Sequence, residues 1–188
     1  MRVSREQAAL NRERIVEVAS KLFREKGYDG IGVADLMKGA GLTHGGFYGH
    51  FDSKEDLLAE ACGKAMDYSV AQWRSRLERH PEDPLGTMAR AYLNETHRDS
   101  AGKGCMVAAM GPDVARAGEA VKNALTRGVK EQLALLAARL PGTPQAQRQR
   151  AMAAYAAMLG GLVMARAVND PELSKELLEA VVSQLEQA

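Results

Sequence analysis

Cysteine, aromatic residues and unbroken apolar stretches are all scarce in this chain of 188 residues, and each scarcity excludes something. Two cysteines, Cys62 and Cys105, are too few for a disulfide framework and too few to build a zinc site of their own. If either matters, it matters as a thiol. No apolar run approaches the roughly 20 residues that cross a bilayer, and the polar, arginine-containing start lacks the apolar stretch of a secretory signal. A cytoplasmic protein without a membrane partner is expected. Neither sign of charge is in marked excess, the formal net charge being +1, so overall basicity does not point to nucleic acid. Its distribution says more. Residues 1 to 26 carry seven basic side chains, Arg2, Arg5, Arg12, Arg14, Lys21, Arg24 and Lys26, against four acidic ones, Glu6, Glu13, Glu17 and Glu25. That is a modest electrostatic footprint at one end.

Strand-like alternation bounded by hairpin turns is also missing, whereas apolar residues recur at helical spacing almost throughout, which predicts an all-α protein. Ile15, Val18, Ala19, Leu22 and Phe23 form one face of a first helix that ends at Gly27, a residue suited to the left-handed C′ conformation. Val33, Leu36, Met37 and Ala40 mark a short second helix; Gly41 and Leu42 turn the chain, and Thr43 is a plausible N-cap for a third. Ser53 to Asp56 has the form of a capping box and opens a long helix that Pro81 and Pro84 stop near Arg79. Beyond it, the spacing predicts a helix from about Leu85 to His97, a short apolar piece from Cys105 to Met110 broken by Gly111 and Pro112, and a long helix from Pro112 to about Leu140. A helix over about residues 145 to 167 is apolar on two sides, with Met152, Tyr155, Leu159 and Val163 in one stripe and Ala153, Ala157 and Gly161 in another. Such a helix needs cover on several sides, and a second copy of the chain is the expected cover. Asp170 and Pro171 start a last amphipathic helix.

The segment "LTHGGFYGHF", residues 42 to 51, combines three glycines with polar and aromatic side chains, although a glycine in a helix costs roughly 1 kcal/mol against alanine. A short helix behind a glycine-containing turn, with another helix in front, is the arrangement that offers side chains to the DNA major groove. Phe47 and Phe51, four apart, would anchor one side in the core and leave Thr43, His44, Tyr48 and His50 outside. Tyr48 has a plainer role open to it as a half-buried packing residue, the two histidines as solvated side chains, and Lys54 as a solvated lysine.

Residues 15 to 61, "IVEVASKLFREKGYDGIGVADLMKGAGLTHGGFYGHFDSKEDLLAEA", resemble the N-terminal DNA-binding domain of the TetR/AcrR family of bacterial transcriptional regulators. The likeness rests on "LF" followed by "GY", "AG" in the turn, "FYGHF" and "SKEDLL" taken together. It implies that Thr43 and His44 contact bases or phosphates, that Tyr48 and His50 hold phosphates, that Gly45 and Gly46 lie close against the groove, and that Lys54 meets the DNA backbone. The family's second helix usually opens with threonine or serine, where this chain has Ile31 and Gly32, so a hydroxyl contact to phosphate is not carried over. The resemblance also implies two domains, a three-helix helix-turn-helix domain over residues 1–53 and a helical ligand-binding and dimerisation domain over residues 54–188.

In the second domain, Trp73, Met88, Tyr92, His97, Met106 and Met110 are candidates for the walls of an effector cavity, although methionine and aromatic residues at helical spacing are equally the makings of an ordinary core. Cys105 follows "AGKG" at the start of a short helix with Lys103 nearby, a setting that favours thiolate; some relatives sense oxidants through such a cysteine. A small buried residue closing the packing is the other reading of Cys105, and the one adopted for Cys62. The expected protein is therefore a homodimeric repressor of a palindromic double-stranded operator, paired through the helices at about 145–167 and 171–187, released by a small-molecule effector or, alternatively, by oxidation of Cys105. Neither a cofactor nor a metal nor catalysis is expected. A thiol enzyme using Cys105 with His97 lacks an acid, an oxyanion turn or a cofactor loop, and a purely structural dimer leaves "THGGFYGHF" unexplained.

Overall fold

Local capping chemistry sets most of the helix ends in the computed structural model, which describes residues 4–187; Arg2 of the N-terminal basic cluster lies outside the described residues. Helix α1 (Arg5–Lys26) starts where the Ser4 hydroxyl accepts the Gln7 N–H at 3.1 Å. It ends at Gly27, whose N–H reaches the Phe23 carbonyl at 2.8 Å. Gly27 has the expected positive φ of 75°, but its ψ of 171° makes an extended exit in place of a left-handed helical turn. That exit lets Tyr28 stack back on Phe23, with ring centroids 6.0 Å apart. Helix α2 (Val33–Gly39) is followed by a 3-10 segment, His44–Gly49, and by α3 (Lys54–Arg79), whose N-cap Ser53 accepts the Asp56 N–H at 3.0 Å. No strand occurs among the described residues.

Two boundaries in the second half differ from the periodicity reading. The helix expected over 85 to 97 is two, α4 (Pro84–Tyr92) and α5 (Glu95–Asp99), because the Asn94 side chain accepts the His97 N–H at 2.9 Å and caps a new helix. The break expected at Gly111 and Pro112 is absent. Helix α6 (Met106–Arg116) runs through both and buries Met106, Met110 and Val114 on one face. Burying three such side chains contributes more than the ~3 kcal/mol a helix-interior proline costs. The chain breaks instead at Gly118, whose N–H is taken by the Glu55 carboxylate, and α7 (Glu119–Ala137) follows. Helices α8 (Pro144–Ala167) and α9 (Pro171–Glu186) begin as expected, capped by Thr143 and Asp170 with proline in the first turn.

Helix α3 belongs to two hydrophobic cores. Its Leu57, Leu58, Ala61, Cys62 and Met66 join Phe23, Leu36, Met37, Phe47 and Phe51 in the first, together with Met106, Met110 and Val114 from α6. Trp73 and Leu77 join α4, α7, α8 and α9 in the second. Arg12 holds the first core shut from outside, forming a two-pronged ion pair with Glu60, one arm at 2.7 Å, while its guanidinium lies 4.3 Å over the Phe51 ring. The two faces of α8 fall differently from the expected stripes. Tyr155 and Gly161 are buried, the latter against Val181 and Leu93, while Met152, Ala153, Ala156, Ala157, Gly160, Val163 and Met164 are exposed.

Helices α3 and α7 pack tightly at Gly128, where a Cβ would lie 2.5 Å from the Cβ of Met66. Met66 cannot retreat by rotating its side chain, because that atom is fixed to the backbone. Gly128→Ala is therefore expected to lower stability by about 1–3 kcal/mol through overpacking, despite alanine's better helix propensity. A urea midpoint equal to or above that of the parent would refute the tight crossing.

Candidate functional site

Gly45, Gly46 and Gly49 weaken the α-helical option for residues 44 to 49, and the segment closes with shorter-range bonds, Gly46 N–H to the Thr43 carbonyl at 3.0 Å and His50 N–H to the Phe47 carbonyl at 2.9 Å. Core anchoring holds it. Phe47 is wholly buried, packs 5.6 Å from Phe51, and meets Tyr48 edge-on at 5.2 Å. Thr43, His44 and Gly45 are exposed, Tyr48 is 69% exposed, and His50 is half-buried beside Phe51. Thr43 stands at the N-cap without using its hydroxyl to cap. Ile31 is buried, and Gly32 caps α2 without a side-chain bond. Lys54 is turned inward: its ammonium donates to the Tyr28 carbonyl and sits 4.2 Å over the Tyr28 ring, and partial desolvation lowers its pKa against the pull of Asp29.

A second concavity, of about 390 Å³, lies among α3, α4, α5 and the 3-10 turn Ala101–Lys103. Of the residues singled out for an effector cavity, Trp73, Met88, Tyr92, His97 and Cys105 line it. Met106 and Met110 do not; both are buried in the first core, because the unbroken α6 turns their face toward α1 and α3. Sequence reasoning missed Arg24, Tyr68, Gln72, Arg76, Asn94 and Lys103, which also form its walls. Arg24 comes from α1 and no local signal links it to a site eighty residues away. Its Nε donates to the Ser20 carbonyl at 2.9 Å and its Nη1 to the Gly104 carbonyl at 2.8 Å.

His97 organises the inner end. Its Nδ1 lies 2.6 Å from the Tyr92 carbonyl and its Nε2 accepts the Cys105 N–H at 2.9 Å, which fixes the tautomer with hydrogen on Nδ1. Gly104 allows this approach, since a Cβ there would be 2.8 Å from the ring. Above the ring, Tyr92 packs edge-on at 4.7 Å, and Tyr155 lies beyond it, donating to Gln132 at 2.9 Å; Gln132 in turn donates to Ser69 at 2.8 Å. Burial, reinforced by the Cys105 thiol, pushes both phenols well above their ordinary pKa, so each remains a donor. The Tyr92 hydroxyl has no hydrogen-bond partner among the described residues. Cys62, by contrast, is sealed in the first core, and burial pushes its thiol up to about 11 against the offset of Arg127.

The segment that carries the exposed Thr43, His44 and Tyr48 lies inside a stretch, residues 15–61, that matches the family described as "Bacterial regulatory proteins, tetR family". The transcriptional regulator AcrR of Shigella flexneri is 36% identical over 94 residues, half of this chain and 43% of AcrR, and the repressor NemR of Escherichia coli K12 is 27% identical over 133 residues, covering 66% of this chain and 64% of NemR. The likeness to the TetR/AcrR family is thus carried by the N-terminal quarter of the chain. The chain spans only 28% to 43% of the length of the first curated relatives it matches. Likeness in fold extends over nearly the whole chain: reduced Escherichia coli NemR superposes with a TM-score of 0.78 at 22% identity, covering 94% of this chain and 96% of that one. A TetR regulator from Chloroflexus aurantiacus does so at 0.79 and 21%, covering 97% and 95%. Among the described residues, no helix is long and apolar enough to cross a membrane.

Burial lowers the His97 pKa, as do the facing Arg166 and Arg76, against the opposing bond to Tyr92. A histidine whose folded pKa lies below its unfolded value of about 6.5 leaves the unfolded chain with more bound protons, so its contribution is full above that value and is lost as pH falls through it. Protonation would also cost the Cys105 N–H its acceptor. The melting temperature of the parent should therefore drop more between pH 7.5 and pH 5 than that of His97→Gln, whose amide takes no proton in this range. Parallel losses in the two proteins would disprove a neutral His97.

Proposed function

We propose that the chain is a DNA-binding transcriptional repressor that acts as a homodimer on a palindromic operator, with residues 1–53 reading DNA and residues 54–188 binding effector and partner. The observation that carries the reading is the glycine content of residues 44 to 49. None of the three has a positive φ, a Cβ on Gly45 or Gly49 would meet nothing within 4 Å, and one on Gly46 would make only ordinary contacts. The fold has no use for glycine there, and close approach of an external groove supplies one. Thr43, His44, Tyr48 and His50 surround that bare strip and are the proposed contacts with bases and phosphates. Lys54 contributes to the phosphate field from the first turn of α3 once its hold on Tyr28 is exchanged for DNA. Two recognition segments related by a dyad would engage successive major grooves roughly 34–36 Å apart. The exposed apolar face of α8, with Leu173 of α9 beside it, supports pairing through these two helices.

The test is a gel shift with DNA flanking the chain's own gene against scrambled DNA. Gly45→Leu should fold as stably as the parent, since leucine enters open space and favours helix, yet lose at least about tenfold in operator affinity; Tyr48→Ala should weaken binding in the same direction. Parent-like affinity in both variants would remove residues 44 to 48 from the interface.

A second reading of the control step has one observation in its favour. Cys105 lines the cavity with its N–H on His97 and with Arg24 and Arg166 in its electrostatic reach, and NemR, a similar protein, has been solved in a form described as reduced. On this reading, Cys105→Ser retains operator binding in reducing buffer and no longer releases DNA when a mild oxidant is added. Release equal to that of the parent would leave Cys105 as a packing residue.

A further inference from the structure

We propose that the cavity beside His97 takes a flat, apolar monocarboxylate, held through Arg76 and Arg24, and that the carboxylate loosens the link between α1 and the cavity wall. The inference rests on reading the protein as an effector-controlled regulator and names the effector's chemistry. Three cations, Arg24, Arg76 and Lys103, line the cavity, and no aspartate or glutamate does. Glu25 and Asp99 line a neighbouring hollow that shares Lys103, so Arg24 and Arg76 are the charges left to the cavity itself. Neither forms an ion pair within 4 Å among the described residues, and only Arg24 feels a longer-range attraction, from Glu25. A half-buried guanidinium without an acidic partner is a site awaiting an anion, and its fork matches a carboxylate in two bonds. Inside, the Tyr92 hydroxyl, on a side chain only 5% exposed, makes no hydrogen bond of ordinary geometry among the described residues; the Cys105 thiol is its polar neighbour, and burial holds it protonated as a donor.

The rest of the wall is built for a planar body. Trp73 and Tyr92 present rings and Met88 an adaptable side chain, while Gln72 and Asn94 leave only neutral polar edges. A cation is repelled by every charged wall group. A neutral ligand would leave Arg76 and the Tyr92 phenol without an acceptor, a deficit that the carboxylate removes.

Arg24 ties occupancy to the first core. Its guanidinium is at once part of the cavity wall and the bond from α1 to the Gly104 carbonyl, next to Cys105. An incoming carboxylate is a stronger acceptor than a neutral carbonyl and draws the guanidinium toward itself. The conformation with that bond intact is then disfavoured by the ligand, which is what a differential affinity for two states requires.

The probe is 2-naphthoate, with 2-naphthamide as its neutral counterpart, titrated by calorimetry into the full-length protein at low ionic strength and without DNA. The acid should bind at least about tenfold tighter than the amide. Arg76→Gln should lose most of that preference, Arg76→Lys should recover part of it, and Arg79→Gln, which removes the same charge from a residue outside the cavity, should bind like the parent. The proposal is overturned if acid and amide bind alike, if neither binds at millimolar concentration, if Arg76→Gln leaves the preference intact, or if Arg79→Gln abolishes it equally. Failure of these titrations leaves the DNA reading standing. Selective naphthoate binding by a protein that does not discriminate DNA in the gel shift would keep the anion site and remove its regulatory role.

Discussion

Everything in this molecule hangs on α3 being one unbroken helix. Its 26 residues span about 39 Å at roughly 1.5 Å per residue, from the Ser53 cap beside the segment His44–Gly49 to Trp73 and Leu77 in the second core. In the first half it is a floor shared with Met106, Met110 and Val114 of α6. Phe47 and Phe51 bury against the side of the helix that carries Leu57, Leu58 and Ala61, so the orientation of the exposed Thr43, His44 and Tyr48 is fixed to the orientation of α3. Gly128 then lets α7 approach α3 closely enough to lock it against Met66 of the first core.

Against that rigid rod, α1 has a second attachment that a small molecule can reach. Arg24 leaves a core helix, crosses to the Gly104 carbonyl and forms cavity wall on the way. Salt bridges elsewhere on the surface, such as Lys64 with Glu13, are exposed and contribute little to holding the halves together. The Arg24 bond is shielded, and it joins the first helix to the turn that orients Cys105 and His97. A ligand that competes for Arg24 and an oxidant that alters Cys105 would thus act on neighbouring atoms of one turn.

The sequence was most legible where side chains act on their own neighbourhood. Ser53 and Asp170 cap the helices that their positions announce, and the spacing of Phe47 and Phe51 predicted the anchored face of the segment His44–Gly49. It was misleading where distant burial outweighs local preference. Pro112 and Gly111 read as a break, yet Met106, Met110 and Val114 hold α6 together across them and, in doing so, carry two candidate cavity residues into the wrong core. Arg24 and Arg76 were invisible as site residues for a related reason: one is supplied by a helix of the other core, and the other looks like any charge on a solvated helix face.

The glycines of residues 44 to 49 and the cations of the cavity raise the same kind of question. Natural chains tend to agree with their folds at every level, and places where they do not are where something outside the fold has shaped them. Alanine at Gly45 or Gly49 would improve helix propensity and collide with nothing, and a glutamate facing Arg76 would give that arginine a partner. Each omission leaves the isolated molecule less well satisfied than its own backbone permits. A major groove pressed against the first and a carboxylate seated in the second would each supply what the chain itself leaves unmet.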